Sequence, residues 1–134
     1  MRIDVHTHAF HPKIAQKVLD QLFEHYGITP VGSGTVEDLL ERAGRAGLDT
    51  VMLHTAATEP SQVVPANNWA IELTRKHPEV VAFGSLHPGY HDNQRELERL
   101  AAAHIRGLKF HPDFQDFFLD DPAFYQLMEM VPRD

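Results

Sequence analysis

Arg2-Ile3-Asp4-Val5-His6-Thr7-His8 opens the chain as a short apolar run interleaved with polar residues, the pattern of a β-strand near residues 2–8. Side chains on a strand alternate between its faces, so Asp4, His6 and His8 share one face and Ile3, Val5 and Thr7 the other. Two imidazoles neighbouring each other on one strand face read as half of a metal site. Zinc takes histidine nitrogen at about 2 Å, and a catalytic zinc usually has three protein ligands plus water. The pair His6 and His8 therefore leaves further ligands to come from elsewhere.

Beyond this strand the period changes. Pro12–Tyr26 sets Ile14, Val18, Leu19, Leu22 and Phe23 at helical spacing, and Gly27 stops the helix. Residues 28–34 carry Pro30, Gly32, Ser33 and Gly34 and form a loop; Thr35 then begins a second helix, with Asp38 three residues on as a near capping box. Gly47 closes that helix before a β-branched and apolar run, a buried strand near 48–54. The same order repeats, with a loop containing Glu59, Pro60 and Pro65, a helix over Ala66–Lys76 ended by Pro78, and a strand near 80–86. A helix over Gln94–His104 and a strand near 105–111 follow, and Asp121-Pro122 supplies an N-cap and first helical residue for a helix to about Met130. Strand and helix alternate through four units, which predicts an α/β domain over 1–134 with a parallel sheet and right-handed crossovers.

Composition narrows the function classes. The 134 residues are 43% hydrophobic, enough for a core, and the net charge of −7 leaves no basic footprint for nucleic acid. Lys13, Lys17, Arg42, Arg45, Arg95, Arg99 and Arg106 are scattered along the chain. Cysteine is absent, no apolar run approaches the roughly 18–20 residues of a membrane span, and the first residues lack a signal-peptide pattern. The expectation is a cytoplasmic protein with neither membrane nor nucleic-acid partners.

Histidine is the outlier, with ten in the chain. Each expected strand ends in one: His8, His54, His87 and His111. Parallel α/β folds bind ligands at the carboxyl ends of their strands, so these histidines are expected to gather at one edge. On the fourth strand Lys109 and His111 share a face opposite Leu108 and Phe110, and a buried lysine is costly without a task or a partner. The candidate residues are thus His6 and His8 for metal, Lys109 and His111 for catalysis, and His54 and His87 for substrate contact. The bland alternatives are polar residues at a strand mouth for the first pair and loop-carbonyl partners for His54 and His87. His11, His25, His77, His91 and His104 fall in helices or loops with no chemistry implied, and Phe114, Phe117, Phe118 and Phe124 are expected to pack the fourth loop and helix.

The stretches IDVHTHAF (3–10) and GLKFHPDFQDFFLDDPAFY (107–125) together resemble the amidohydrolase superfamily, in particular the amidohydrolase-related branch that contains aminocarboxymuconate semialdehyde decarboxylase. Asp-x-His-x-His also opens TatD-type nucleases and histidinol-phosphatase-like phosphoesterases; Gly-x-Lys-x-His-Pro makes the first branch the better match. The resemblance spans the chain and implies that His6 and His8 bind the metal. It also implies half of a TIM-type (β/α)8 barrel, because a complete barrel takes about 250 residues. The strand-five and strand-six histidines and the strand-eight aspartate of the family have no counterpart, as in a truncated or a naturally short chain. The activity so implied is metal-dependent hydrolysis or nonoxidative decarboxylation of a small-molecule carboxylate or carbonyl, with a divalent ion, zinc first among them. Alternatives are a noncatalytic half-barrel that assembles as a homo-oligomer or with a missing C-terminal half, and a metal-dependent phosphoesterase.

Overall fold

The computed structural model describes residues 1–132. It is a mixed α/β fold with a small parallel sheet of three strands in the order β1-β2-β3, where β1 is Ile3–Thr7, β2 is Thr50–Leu53 and β3 is Val80–Ala82. The helices are α1 (Ala15–Tyr26), α2 (Val36–Arg45), α3 (Val63–Lys76), α4 (Asn93–Ala102), α5 (Pro112–Gln115) and α6 (Pro122–Met130). Two compact units emerge: residues 1–54 with 77–81, and residues 55–76 with 82–134.

In the first unit the strands form where β-branched and apolar residues meet. Val51 and Leu53 are buried on β2, and Val80 on β3. Gly27, at φ 66, closes α1 in the left-handed conformation that only glycine adopts without strain, and its N–H reaches the Phe23 carbonyl. Thr35 caps α2, its hydroxyl accepting from the Asp38 N–H at 3.3 Å. Between Asp4 and Thr7 the register slips: Asp4 pairs with Val51 but Thr7 with Leu53, so β1 spends three steps where β2 spends two. That is a β-bulge, with its extra residue at Val5–His6.

The second unit has its own core of Ala57, Val63, Ile71, Leu86, Leu100, Ile105 and Leu127. Leu108 and Phe110 pack against it, as strand parity predicts. Full burial of a leucine such as Leu86 or Leu100 contributes about 1.5–3 kcal/mol. The expected strand near 105–111 contracts to one parallel bridge, Gly84 with Leu108, carried by Gly84 N–H to the Gly107 carbonyl and Lys109 N–H to the Gly84 carbonyl. The ladder stops there because side chains take the next backbone groups. Asn67 accepts from the Ser85 N–H at 2.7 Å and donates to the Ser85 carbonyl at 2.9 Å, while Gln115 donates to the Leu86 carbonyl at 2.8 Å. After His111 the chain turns directly into α5, an element the periodicity did not predict. Among the described residues no helix is long and apolar enough to cross a membrane.

Candidate functional site

The first unit brings together His6, His8 and His54. The His6 ring lies 4.9 Å from that of His8 and 5.1 Å from that of His54, centroid to centroid, and His8 and His54 are 6.3 Å apart. His6 and His8 are exposed, whereas His54 is buried. Shared strand parity puts the first two side by side, and the end of β2 delivers the third.

The bulge fixes the geometry. Its Val5–His6 peptide is held by two side chains: the His6 N–H donates to Asp4 Oδ1 at 3.0 Å, and the Val5 carbonyl accepts from His54 Nε2 at 2.9 Å. Asp4 therefore serves the backbone of the histidine two residues on. His8 Nδ1 lies 2.8 Å from the His54 carbonyl. A carbonyl can only accept, so the neutral His8 ring carries its proton on Nδ1 and its lone pair on Nε2. The His54 N–H in turn donates to the Thr7 carbonyl at 2.9 Å, and the Thr7 hydroxyl to the Met52 carbonyl at 2.8 Å.

The chemistry of this pair suits a divalent ion. Two imidazoles on one tetrahedral ion, each nitrogen at about 2 Å, stand roughly 5 Å apart between centroids, close to the 4.9 Å that separates the His6 and His8 rings. His54 differs, because its Nε2 is committed to Val5. Among the described residues no group of three or more His, Asp or Glu side chains is placed to hold a metal.

The second unit holds His87, Lys109 and His111. His87 Nδ1 accepts from the Gly89 N–H at 3.0 Å, and Asn93 Nδ2 donates to the His87 carbonyl at 2.8 Å. Burial lowers the pKa of His87 below the usual imidazole range, against the opposing pull of the Glu59 charge and a backbone hydrogen bond with Thr58. His87 lines an open groove of about 520 Å³ together with Gln115, Asp116, Phe117 and Asp121. A second groove, of about 590 Å³ along α3 and α4, includes none of the candidate residues. His111 stands at the N-cap of α5, its Nδ1 accepting from the Phe114 N–H at 3.4 Å and its ring 4.6 Å from that of Phe114. Lys109 is half-buried, and its carbonyl accepts from Ser85 Oγ at 3.0 Å.

Sequence reasoning missed Gln115, Asn67 and Glu96. Gln115 is buried, accepts from the His111 N–H at 2.7 Å and ties down the Ala57 carbonyl at 2.9 Å, so it fixes the loop on which His111 sits. Asn67 donates to Glu96 Oε1 at 2.7 Å, and Glu96 is forked by Arg99 at 2.7 and 2.9 Å. A signal for Asn67 existed: it occupies an apolar position of α3 between the buried Val63 and Ile71. Of the phenylalanines, Phe117 and Phe124 stack with centroids 4.8 Å apart, as expected, but Phe118 is 76% exposed.

Neither a scan against models of protein families nor a search of curated proteins finds a match for this chain.

Proposed function

We propose that this chain provides the metal-binding face of an amidohydrolase-type enzyme, acting by hydrolysis or nonoxidative decarboxylation on a small carboxylate or carbonyl compound, and that its sheet belongs to a (β/α)8-type barrel. The observation that carries this reading is the His6–His8 pair, 4.9 Å apart at the carboxyl end of a parallel strand, with the lone pair of His8 directed by a backbone carbonyl. His6 and His8 would hold the divalent ion, zinc by preference. Such an ion supplies a water of pKa near ~7 and a polarised carbonyl. Lys109 and His111, in the second unit, would bind the carboxylate or carbonyl of a substrate or pass a proton, and His87, whose pKa burial lowers, would offer a hydrogen bond.

Metal analysis of the purified protein tests the assignment. Zinc is expected to bind the native chain and to be lost in the His6→Ala, His8→Ala double variant; stoichiometric zinc retained by that variant would sink it. Two or three metals per chain, with turnover of phosphoesters, would shift the reading to a phosphoesterase.

A second reading concerns assembly and rests on β1. This strand lies at the edge of the sheet, with Val5 63% and Ile3 39% exposed. Apolar edge strands recruit other strands, and pairing with a second copy of the chain would cover this one.

A further inference from the structure

Metal-binding histidines need their rings aimed and their tautomers set, commonly by a backbone carbonyl or a carboxylate at the other nitrogen. Here a third histidine performs both tasks from the neighbouring strand. We infer that His54 is the positioning residue of the His6–His8 pair: its ring grips the bulged peptide that aims His6, and its carbonyl fixes His8 in the Nδ1–H form. The inference rests on the metal reading of His6 and His8 and assigns His54 a part in it other than substrate contact.

Four hydrogen bonds tie His54 to β1 or to the residue that follows it, or tie β1 to β2 beside it. The His54 N–H donates to the Thr7 carbonyl at 2.9 Å, the His54 carbonyl accepts from His8 Nδ1 at 2.8 Å, and His54 Nε2 donates to the Val5 carbonyl at 2.9 Å. Thr7 adds the fourth through the Met52 carbonyl at 2.8 Å. The ring bond has the larger consequence for His6. A bulge takes a peptide out of the regular ladder, and the angle at which the next side chain leaves depends on how that peptide is held. The Val5–His6 peptide is held at its N–H by Asp4 and at its carbonyl by His54, both through side chains. The His54 ring is buried, so the grip is not loosened by water, and its centroid lies 5.1 Å from that of the His6 ring.

The test separates ring from carbonyl. His54→Leu removes the ring donor and leaves the backbone carbonyl, whereas His54→Gln places an amide N–H where Nε2 was. In metal-free native protein, long-range proton–nitrogen NMR is expected to show His8 as a single Nδ1–H tautomer. His54→Leu is expected to weaken zinc binding about 10–100-fold, by chelator competition. His54→Gln is expected to restore affinity to within about threefold, well inside that range. A native His8 found mainly in the Nε2–H form overturns the inference without any variant. Unchanged zinc affinity in a folded His54→Leu protein overturns it too. Should native protein bind no zinc at all, the metal reading falls, while the His8 tautomer still decides whether His54 orients that ring. If His54→Leu does not fold, the native tautomer and the affinity of His54→Gln, which must stay near native, carry the decision.

Discussion

Asp38 does no chemistry, yet its carboxylate organises the start of α2. It accepts the Ser33 N–H at 2.8 Å and pairs with Arg42 at 2.8 Å, and these two contacts, the backbone one first, hold its pKa below the usual carboxylate range. A carboxyl whose folded pKa is depressed stabilises the fold above its unfolded value, and that contribution is lost as pH falls through the folded value. Asp38→Asn is therefore expected to be less stable than native protein at neutral pH, with the difference closing in acid, as urea midpoints across a pH series will show. His87 obeys the same rule from the other side of neutrality. Above the ordinary imidazole value of about 6.5 both states are neutral; below it the unfolded chain takes up the proton first, and stability falls until the lowered folded value is passed. His87→Asn keeps an acceptor for the Gly89 N–H and is expected to flatten the loss that begins as pH falls through about 6.5. That His6 and His8 would lie side by side was legible from their spacing on one strand. The service of His54 was not, because it is rendered half by a backbone carbonyl that every residue possesses.

Glycines in two elements offer opposed tests. Gly84 carries the bridge to Leu108, and a Cβ there would lie 2.6 Å from Leu100 Cδ1 and 3.3 Å from Asn67 Oδ1, both on buried side chains that cannot retreat. Gly84→Ala is expected to cost about 1–3 kcal/mol through overpacking. Gly44 lies within α2, and a methyl group on its Cα would meet nothing within 4 Å, so Gly44→Ala is expected to add about 0.5–1 kcal/mol through helix propensity. Thermal or urea unfolding of the two variants reads both signs. The same region explains what the periodicity could not reveal. Apolar residues at 105, 108 and 110 announce burial, and Ile105 is buried while Leu108 and Phe110 are partly so, but the length of a strand depends on which groups its partner leaves available. Asn67 and Gln115 claim those groups at Ser85 and Leu86. The helix α5, only four residues from Pro112 to Gln115, is too short to generate a period; the proline after His111 was its one mark in the sequence.

Across the molecule, the exposed edge at β1 predicts association that depends on concentration. Light scattering over a range of concentrations is expected to show the native chain growing beyond a monomer, and Val5→Lys, which charges an edge residue that is 63% exposed, is expected to suppress this. A dispersed native monomer at every concentration would refute the edge argument. Alternation of strands and helices was readable through the third strand, where the apolar periods are long, but not at the fourth, which contracts to a single bridge. The grouping into two units was not, since residues 77–81 join 1–54 across the sheet, where the Val51 N–H finds the Glu79 carbonyl at 3.0 Å. That last bond sets an order of events during synthesis. The grip of His54 on β1 needs only the first 54 residues, so the histidine pair can be shaped early. The third strand must wait until the intervening α3 has been made, which at roughly 5–20 residues per second leaves β2 as a bare edge for a few seconds on the ribosome. During that interval the unpaired backbone groups along β2 are open to pairing with another chain.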